Sequence, residues 1–356
     1  MNIEESETQM PNLNVEMVND AQRGHRHDQL SADLIGRHEI LRDLIGYAPF
    51  HYVDIPTHGN IGDLLIMHGT LAFFRKHRLV PKLIAPYFAY DPRWIAPEDV
   101  IVFHGGGNFG DLYPYFQDLR ESIVQNHREN RIIILPQSLH FSSPEKMQES
   151  ARLFRMHADV HLCVRDQVSY QMAQQFTDNV YLLPDMAHQL FPMLADAGSP
   201  SAGSLRISRV DDESSPQAGL RNMVSTTVTD WPEFVGQREV RINLFRRVIG
   251  AFFRRGLGWS ANSILVRLWI AYSGRLIADA AQLFARHELI VTDRLHGHIL
   301  ACLLRKQNIV LDNSYGKNSR YVEAWTLNSE LVMLQKQNAA HATTTFTRHG
   351  PMAAAL

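Results

Sequence analysis

The feature that most restricts the fold is a series of short segments that are apolar continuously, not in alternation, and that recur between longer segments of helical period. They are "HYVDI" (51–55), "KLIAP" (82–86), "VIVFH" (100–104), "RIIIL" (131–135), "VHLCV" (160–164) and "VYLL" (180–183). A strand that is apolar on both faces needs cover on both, which a parallel sheet with crossover helices supplies. Between the first two segments, Ile61, Leu64, Leu65, Leu71 and Ala72 fall near helical spacing, so 61–77 reads as an amphipathic helix. Residues 46–197 are therefore expected to form a Rossmann-like, doubly wound α/β domain.

The Gly/Ser/Pro-rich "DAGSPSAGS" (196–204) reads as a linker. Beyond it, "LRISRV" (205–210), a helical stretch over 233–285, "ELIVTD" (288–293), a helix from about 295 and "NIVLDN" (308–313) predict a second α/β domain over 205–336. Residues 1–45 are expected to be a partly disordered extension, and 337–356 a mobile tail. Two such domains leave a cleft, and ligands in such sheets bind beyond the carboxyl ends of the strands.

Composition narrows the class of partner. A net charge of −2 over 356 residues gives no broad electrostatic footprint for nucleic acid. Cys163 and Cys302 lie far apart in apolar segments without metal or redox spacing, which suits buried thiols in a reducing compartment. The acidic N-terminus has no signal-peptide pattern, and the apolar stretch from 263 is broken by Arg267 and Arg275, so a cytoplasmic location is expected.

The residues just after the strands form a non-random set. Two loops, Gly59–Asn60–Ile61–Gly62–Asp63 and Gly105–Gly106–Gly107–Asn108–Phe109–Gly110–Asp111, bring bare backbone N–H groups near helix starts, where an anion or a hydroxyl is readily held. Tight βα turns explain the same glycines, and that reading stays open. The dinucleotide spacing is absent from the first loop and emerges only loosely in the second, and neither has the Walker A spacing. Asp111 is a candidate base for a hydroxyl, or the N-cap of the next helix. Arg165, at the end of an apolar strand, is suited to grip a carboxylate or phosphate in a fork, or to pair with Asp166 or Asp185.

"LIVTDRLHGHILACLLRKQNIVLDN" (289–313) runs a strand into a helix with Thr292 and Asp293 as expected N-caps. Arg294 and His296 then fall in the first turn facing the cleft, and Lys317 follows the next strand, giving an anion-binding acid/base cluster. His296 and His298 are two positions apart on a helix, so they do not face one another, and no metal site is expected.

Together these segments resemble the polysaccharide pyruvyl transferase family. The likeness is carried by "HGNIGD" (58–63), "HGGGNFGDLY" (104–113), "LPQS" (135–138), "VRDQVSY" (164–170), "LLPD" (182–185), "TDRLHGHI" (292–299) and "YGKNSRY" (315–321). The resemblance implies two Rossmann-like domains in a GT-B-like arrangement with an interdomain cleft, phosphoenolpyruvate as donor substrate with no further cofactor, and a saccharide acceptor of an exopolysaccharide or capsule precursor, polyprenyl-diphosphate-linked in many members. It implies donor binding and catalysis for Asp111, Arg165, Arg294 and His296, with Lys317 assisting. Asn60, Asp63, Gly106, Gly107 and Asn108 complete the expected binding set.

The donor's chemistry agrees: phosphoenolpyruvate carries two separate anionic groups, which Arg165 and Arg294 would grip, while His296 handles protons and Asp111 orients the hydroxyl. One stretch, "REVRINLFRRVIGAFFRRG" (238–256), sets six arginines against one acid, which reads as a solvated face or as peripheral contact with the inner membrane or a lipid diphosphate. A GT-B sugar-nucleotide glycosyltransferase and a non-catalytic binding protein are the competing readings.

Overall fold

A computed structural model describes residues 25–194, 203–208, 227–256, 258–312 and 316–335. Most of the expected linker, the tail and the extension before residue 25 lie outside them. Within the expected extension, two helices, His25–Gly36 and Glu39–Ile45, are packed rather than dangling. The first is anchored to the C-terminal half, His27 bonding the Ser329 hydroxyl and the Cys302 carbonyl at 2.8 Å each.

The first sheet contains β1 (Phe50–Val53), β2 (Leu83–Ala85), β3 (Val100–Phe103), β4 (Gly106–Gly110), β5 (Ile132–His140), β6 (Val160–Val164) and β7 (Asn179–Leu182). All pairings are parallel, in the order β2-β1-β3-β5-β6-β7, with β4 beside β5. Successive residues along each strand enter different cores, which explains the continuous apolar pattern. Tyr52, Val102 and Ile133 belong to one core, and Val53, Ile101, Phe103 and Ile134 to the other.

The second sheet holds β8 (Ser204–Ile207), β9 (Thr227–Thr229), β10 (Leu289–Thr292), β11 (Gln307–Leu311) and β12 (Val332–Gln335), all parallel, ordered β12-β11-β10-β8-β9. The 233–285 segment resolves mainly into two long helices, Arg238–Arg254 and Gly258–Ala285. The larger core runs through both halves, since Leu64 and Leu65 share it with Ile299 and Leu300.

In each sheet the strand order reverses once, between β1 and β3 and between β8 and β10. Such reversals open a crevice at the strands' carboxyl ends. The residues there are Asp54 and His104 in the first half, and Asp293 and Arg294 in the second.

The glycine-rich segment is itself a strand. Gly110 has φ 115, and a β-carbon on it would stand 1.8 Å from the His140 carbonyl oxygen of the neighbouring strand, so glycine is demanded there by backbone pairing. Gly106, at φ 126, is needed for its backbone conformation. Neither glycine lines the cavity described next, and to that extent the expectation of a loop cleared for a ligand is corrected.

Candidate active site

A cavity of about 840 Å³ is lined from both halves of the chain. Its wall includes eight of the ten expected site residues: Asn60, Asp63, Gly107, Asn108, Arg165, Arg294, His296 and Lys317. Asp111 is the exception of consequence. The chain turns at the end of β4 so that this carboxylate accepts from the Ser142 N–H at 2.9 Å and from its hydroxyl, and pairs with Lys146 at 3.1 Å. It caps no helix either, since the following helix, Pro114–Asn126, has Tyr113 as its N-cap and no side-chain cap.

The first turn of the helix Ile61–Lys76 forms one side. Asn60 is its N-cap, accepting from Gly62 N–H at 3.1 Å and donating to Asp63 at 2.8 Å. Against this turn lies His296, from the first turn of the helix Leu295–Leu303. A β-carbon on Gly62 would meet the His296 Nδ1 at 2.5 Å, so the glycine is what admits the ring. Arg294, not Thr292 or Asp293, is the N-cap of that helix, and the Thr292 hydroxyl instead accepts from the Arg294 N–H at 3.0 Å.

Both arginines are held by carboxylates. Arg165, 1% exposed, gives Nη1 to Asp185 at 2.5 Å and Nε to Ser138 at 3.0 Å. The Nη2 corner of its fork is turned toward Gly107, where an added β-carbon would stand 3.4 Å from it and 3.1 Å from the Lys317 Nζ. Two cations from opposite halves thus meet over a residue without a side chain. Arg294 donates to both oxygens of Asp230, at 2.8 and 2.5 Å. Asp230 stands just past β9 as the N-cap of the short helix Trp231–Val235.

Asp185 is the common counter-ion. It is fully buried, takes Arg165 directly and lies 3.4 Å from the His296 Nε2. Burial alone would raise its carboxyl, but His296 and Arg165, with the Ala187 N–H, hold it well below the usual carboxylate range. Its backbone N–H donates to the Tyr321 hydroxyl at 3.0 Å, and Trp325 donates to the Arg165 carbonyl at 2.8 Å, so the C-terminal half clamps this pair in place.

Two lining residues escaped sequence reasoning. Asp54 follows β1 with φ 70, a strained conformation for a residue with a β-carbon. Its Oδ2 accepts from Arg120 at 2.8 Å and Asn108 at 3.2 Å, while burial pushes the carboxyl up to about 7. His104 follows β3, bonds the Tyr52 hydroxyl at 2.7 Å through Nδ1, and is pushed down to about 3 by burial. Asp54 Oδ1, His104 Nε2 and His296 Nε2 are all buried without a hydrogen-bond partner, and such atoms concentrate at working sites because each is costly elsewhere. Asp54 lies inside the expected strand "HYVDI" (51–55), which ends two residues earlier in the fold, at Val53. His298, by contrast, points away, clasped between Asn308 at 2.7 Å and Thr326 at 2.8 Å.

The cavity therefore presents cations from both halves, each oriented by a buried carboxylate, beside a histidine and a buried acid. That is the equipment of an enzyme handling a small anion with proton transfer. Comparison with known proteins gives the class. The family model for polysaccharide pyruvyl transferases matches residues 60–315, and the chain belongs to that family. It is 40% identical over 278 residues to EpsO of Bacillus subtilis (strain 168), covering 77% of this chain and 84% of that protein. It is also 29% identical over 243 residues to pyruvyl transferase 1 of Schizosaccharomyces pombe, covering 64% of this chain and 55% of that one. Among solved structures, an uncharacterised Klebsiella pneumoniae protein shares the fold with a TM-score of 0.56 at 20% identity, over 85% of this chain and 97% of its own.

Proposed function

We propose that the protein transfers the pyruvyl group of phosphoenolpyruvate to two hydroxyls of one sugar in an exopolysaccharide or capsule precursor, forming a ketal and releasing phosphate. The observation that carries this reading is the meeting of Arg165 and Lys317 over Gly107, with Arg294 on the same cavity. A donor with a carboxylate and a phosphate needs two cationic grips, and arginines fixed by Asp185 and Asp230 are pre-organised for them. In this reaction His296 delivers a proton to the methylene carbon. One sugar hydroxyl then adds to the resulting cationic centre and loses its proton. The carbon–oxygen bond to phosphate breaks, the second hydroxyl closes the ring, and a second proton leaves.

The two parallel sheets support a GT-B-like arrangement with the cavity as its interdomain cleft. A sugar-nucleotide glycosyltransferase is not favoured, since the family match points to pyruvyl transfer. None of the described helices is long and apolar enough to cross a membrane. The helix Arg238–Arg254 exposes Arg241 and Arg247 beside Val240 and Leu244, which supports peripheral attachment to an anionic, cytoplasmic-side lipid surface. Flotation with phosphatidylglycerol vesicles tests this, and flotation unaltered by neutralising Arg241 and Arg247 would remove it.

The reaction is tested by incubating phosphoenolpyruvate with free and lipid-linked saccharides while following phosphate release and a mass gain on the sugar. Arg294→Ala and His296→Ala are expected to lose both signals with the fold intact. Calorimetric binding of sugar nucleotides in place of phosphoenolpyruvate would overturn the proposal.

A further inference from the structure

We infer that Asp54 is the base of the transfer, its Oδ1 taking the proton of the sugar hydroxyl that attacks the donor. This rests on the reaction proposed above, in which that proton needs an acceptor and Asp111, outside the cavity, does not supply one.

The cavity offers few candidates. Among the described residues, the carboxylates in its wall are Asp54, Asp63 and Asp166. Asp166 is spent as an N-cap: Oδ1 accepts from the Ser169 N–H at 2.8 Å, and Oδ2 from the Ser138 and Ser169 hydroxyls at 3.0 and 2.8 Å. Asp63 accepts from Asn60 at 2.8 Å, has His58 at 3.6 Å and is 28% exposed, so water competes for it. Asp54 is 1% exposed, and its Oδ1 is buried without a hydrogen-bond partner. A carboxylate kept from water is the stronger base, because desolvation penalises its charged form.

The other oxygen is fixed. Oδ2 accepts from Arg120 Nη2 at 2.8 Å and from Asn108 Nδ2 at 3.2 Å. Arg120 is fully buried over the rings of Phe103 and Phe109, and donates also to the Asn108 carbonyl at 2.9 Å and the Asn108 Oδ1 at 2.6 Å. Gln137 donates to the same Oδ1 at 3.0 Å. A carboxylate gripped on one oxygen by two such anchored donors keeps its orientation, and Oδ1 stays the free atom.

Position agrees. Asp54 follows β1 where the strand order reverses, just past the point where the His104 N–H donates to the Val53 carbonyl at 3.0 Å. It holds φ 70 there, and strain of that kind concentrates at active sites. Its partner Asn108 comes directly after Gly107, over which Arg165 and Lys317 meet, so one residue links the base to the donor cations.

The protons balance. As the attacking hydroxyl's O–H bond breaks, its electron pair forms the bond to the donor's central carbon and the proton passes to Asp54. When the carbon–oxygen bond to phosphate breaks, its pair stays on the phosphate, which takes the proton from Asp54. The second hydroxyl's proton replaces the one that His296 gave to the methylene carbon. Both residues end as they began.

The test is phosphate release with phosphoenolpyruvate and saccharides, beside calorimetric binding of phosphoenolpyruvate. Asp54→Asn tolerates a positive φ and keeps an oxygen for Arg120 and Asn108; we expect it to bind the donor and to lose about 10²-fold or more in kcat. Because it leaves the Arg120 charge buried without its carboxylate, Asp54→Asn combined with Arg120→Gln is read in parallel, with the same expectation. In the unaltered protein kcat should fall about tenfold per pH unit below about 7, where burial and the charge of Asp63, against Arg120 and the Asn108 hydrogen bond, place the carboxyl. A folded variant with full turnover, a joint loss of donor binding and turnover, or a kcat that is flat from pH 8 to pH 5 overturns the base. Phosphate release from none of the saccharides by the unaltered protein overturns the transfer reading itself, and the base with it.

Discussion

The His296 imidazole rests on the backbone of Gly62, so closely that a β-carbon at residue 62 would stand 2.5 Å from Nδ1 and 2.9 Å from the histidine's own β-carbon. Two helix starts, one from each half of the chain, are thereby packed at the point where the proposed acid/base residue sits. Gly62→Ala has to push the ring aside, because His296 cannot retreat without moving the first turn of its helix. A displacement of about 1 Å at a reacting group costs on the order of 10²-fold in rate. We expect Gly62→Ala to fold, to bind phosphoenolpyruvate, and to lose turnover by about that factor in the phosphate-release assay.

The glycines of β4 separate in the same way. At Gly107 an added β-carbon meets only the tips of Lys317 and Arg165, at 3.1 and 3.4 Å, and flexible tips can shift. Gly107→Ala should fold normally and weaken phosphoenolpyruvate binding about tenfold, the value of one charge-assisted hydrogen bond. At Gly110 the obstacle is the His140 carbonyl at 1.8 Å, together with φ 115. Gly110→Ala should fail to give folded protein. Circular dichroism and calorimetry on the two variants separate a glycine kept for the ligand from one kept for the sheet.

Asp111 gives the converse case. Its carboxylate is spent on Ser142 and Lys146, outside the cavity. Those interactions, with burial working in the opposite direction, hold its carboxyl below the usual range. A partly exposed ion pair is worth about 0–1 kcal/mol. Asp111→Asn is expected to lower thermal stability slightly and leave turnover unchanged. A loss of about 10²-fold or more, the usual value of a general base, would restore it to the mechanism.

Much of this site was legible because strand ends are where α/β sheets place their chemistry. Arg165 and the Arg294–His296 pair follow recognisable apolar strands, and parallel topology does the rest. What could not be read has physical causes. β4 is hidden because glycines give no propensity signal, and it exists only through its pairing to β5. Asp230 becomes the partner of Arg294 through a contact distant in sequence, which no local pattern encodes, whereas the pairing of Arg165 with Asp185, at the next strand end, is one of the alternatives the sequence offers. Asp54 is hidden within the run 51–55, because an apolar run shows where a strand lies better than where it stops. Asp111 is the opposite case: it follows the glycines in sequence, yet the turn beyond β4 aims its side chain at Ser142.

Acid stability follows from the buried histidines. His38 bonds the Pro184 carbonyl beside the site, His188 the Tyr321 hydroxyl, and His298 lies between Asn308 and Thr326. Burial pushes His38 and His298 down to about 4 and His188 down to about 3. Between the ordinary histidine value of about 6.5 and these values, the unfolded chain binds protons that the fold refuses, so stability must fall as pH drops through that window. Each such group removes up to about 1.4 kcal/mol per pH unit, and the depressed carboxyl of Asp185 adds a further loss as pH falls below the usual carboxylate range. Urea midpoints should therefore decline steeply from pH 7 to pH 5. His298→Gln, which keeps polar groups near Asn308 and Thr326, should flatten the decline by about one proton's worth. A midpoint that does not change over this range would mean that these rings accept protons in the folded protein.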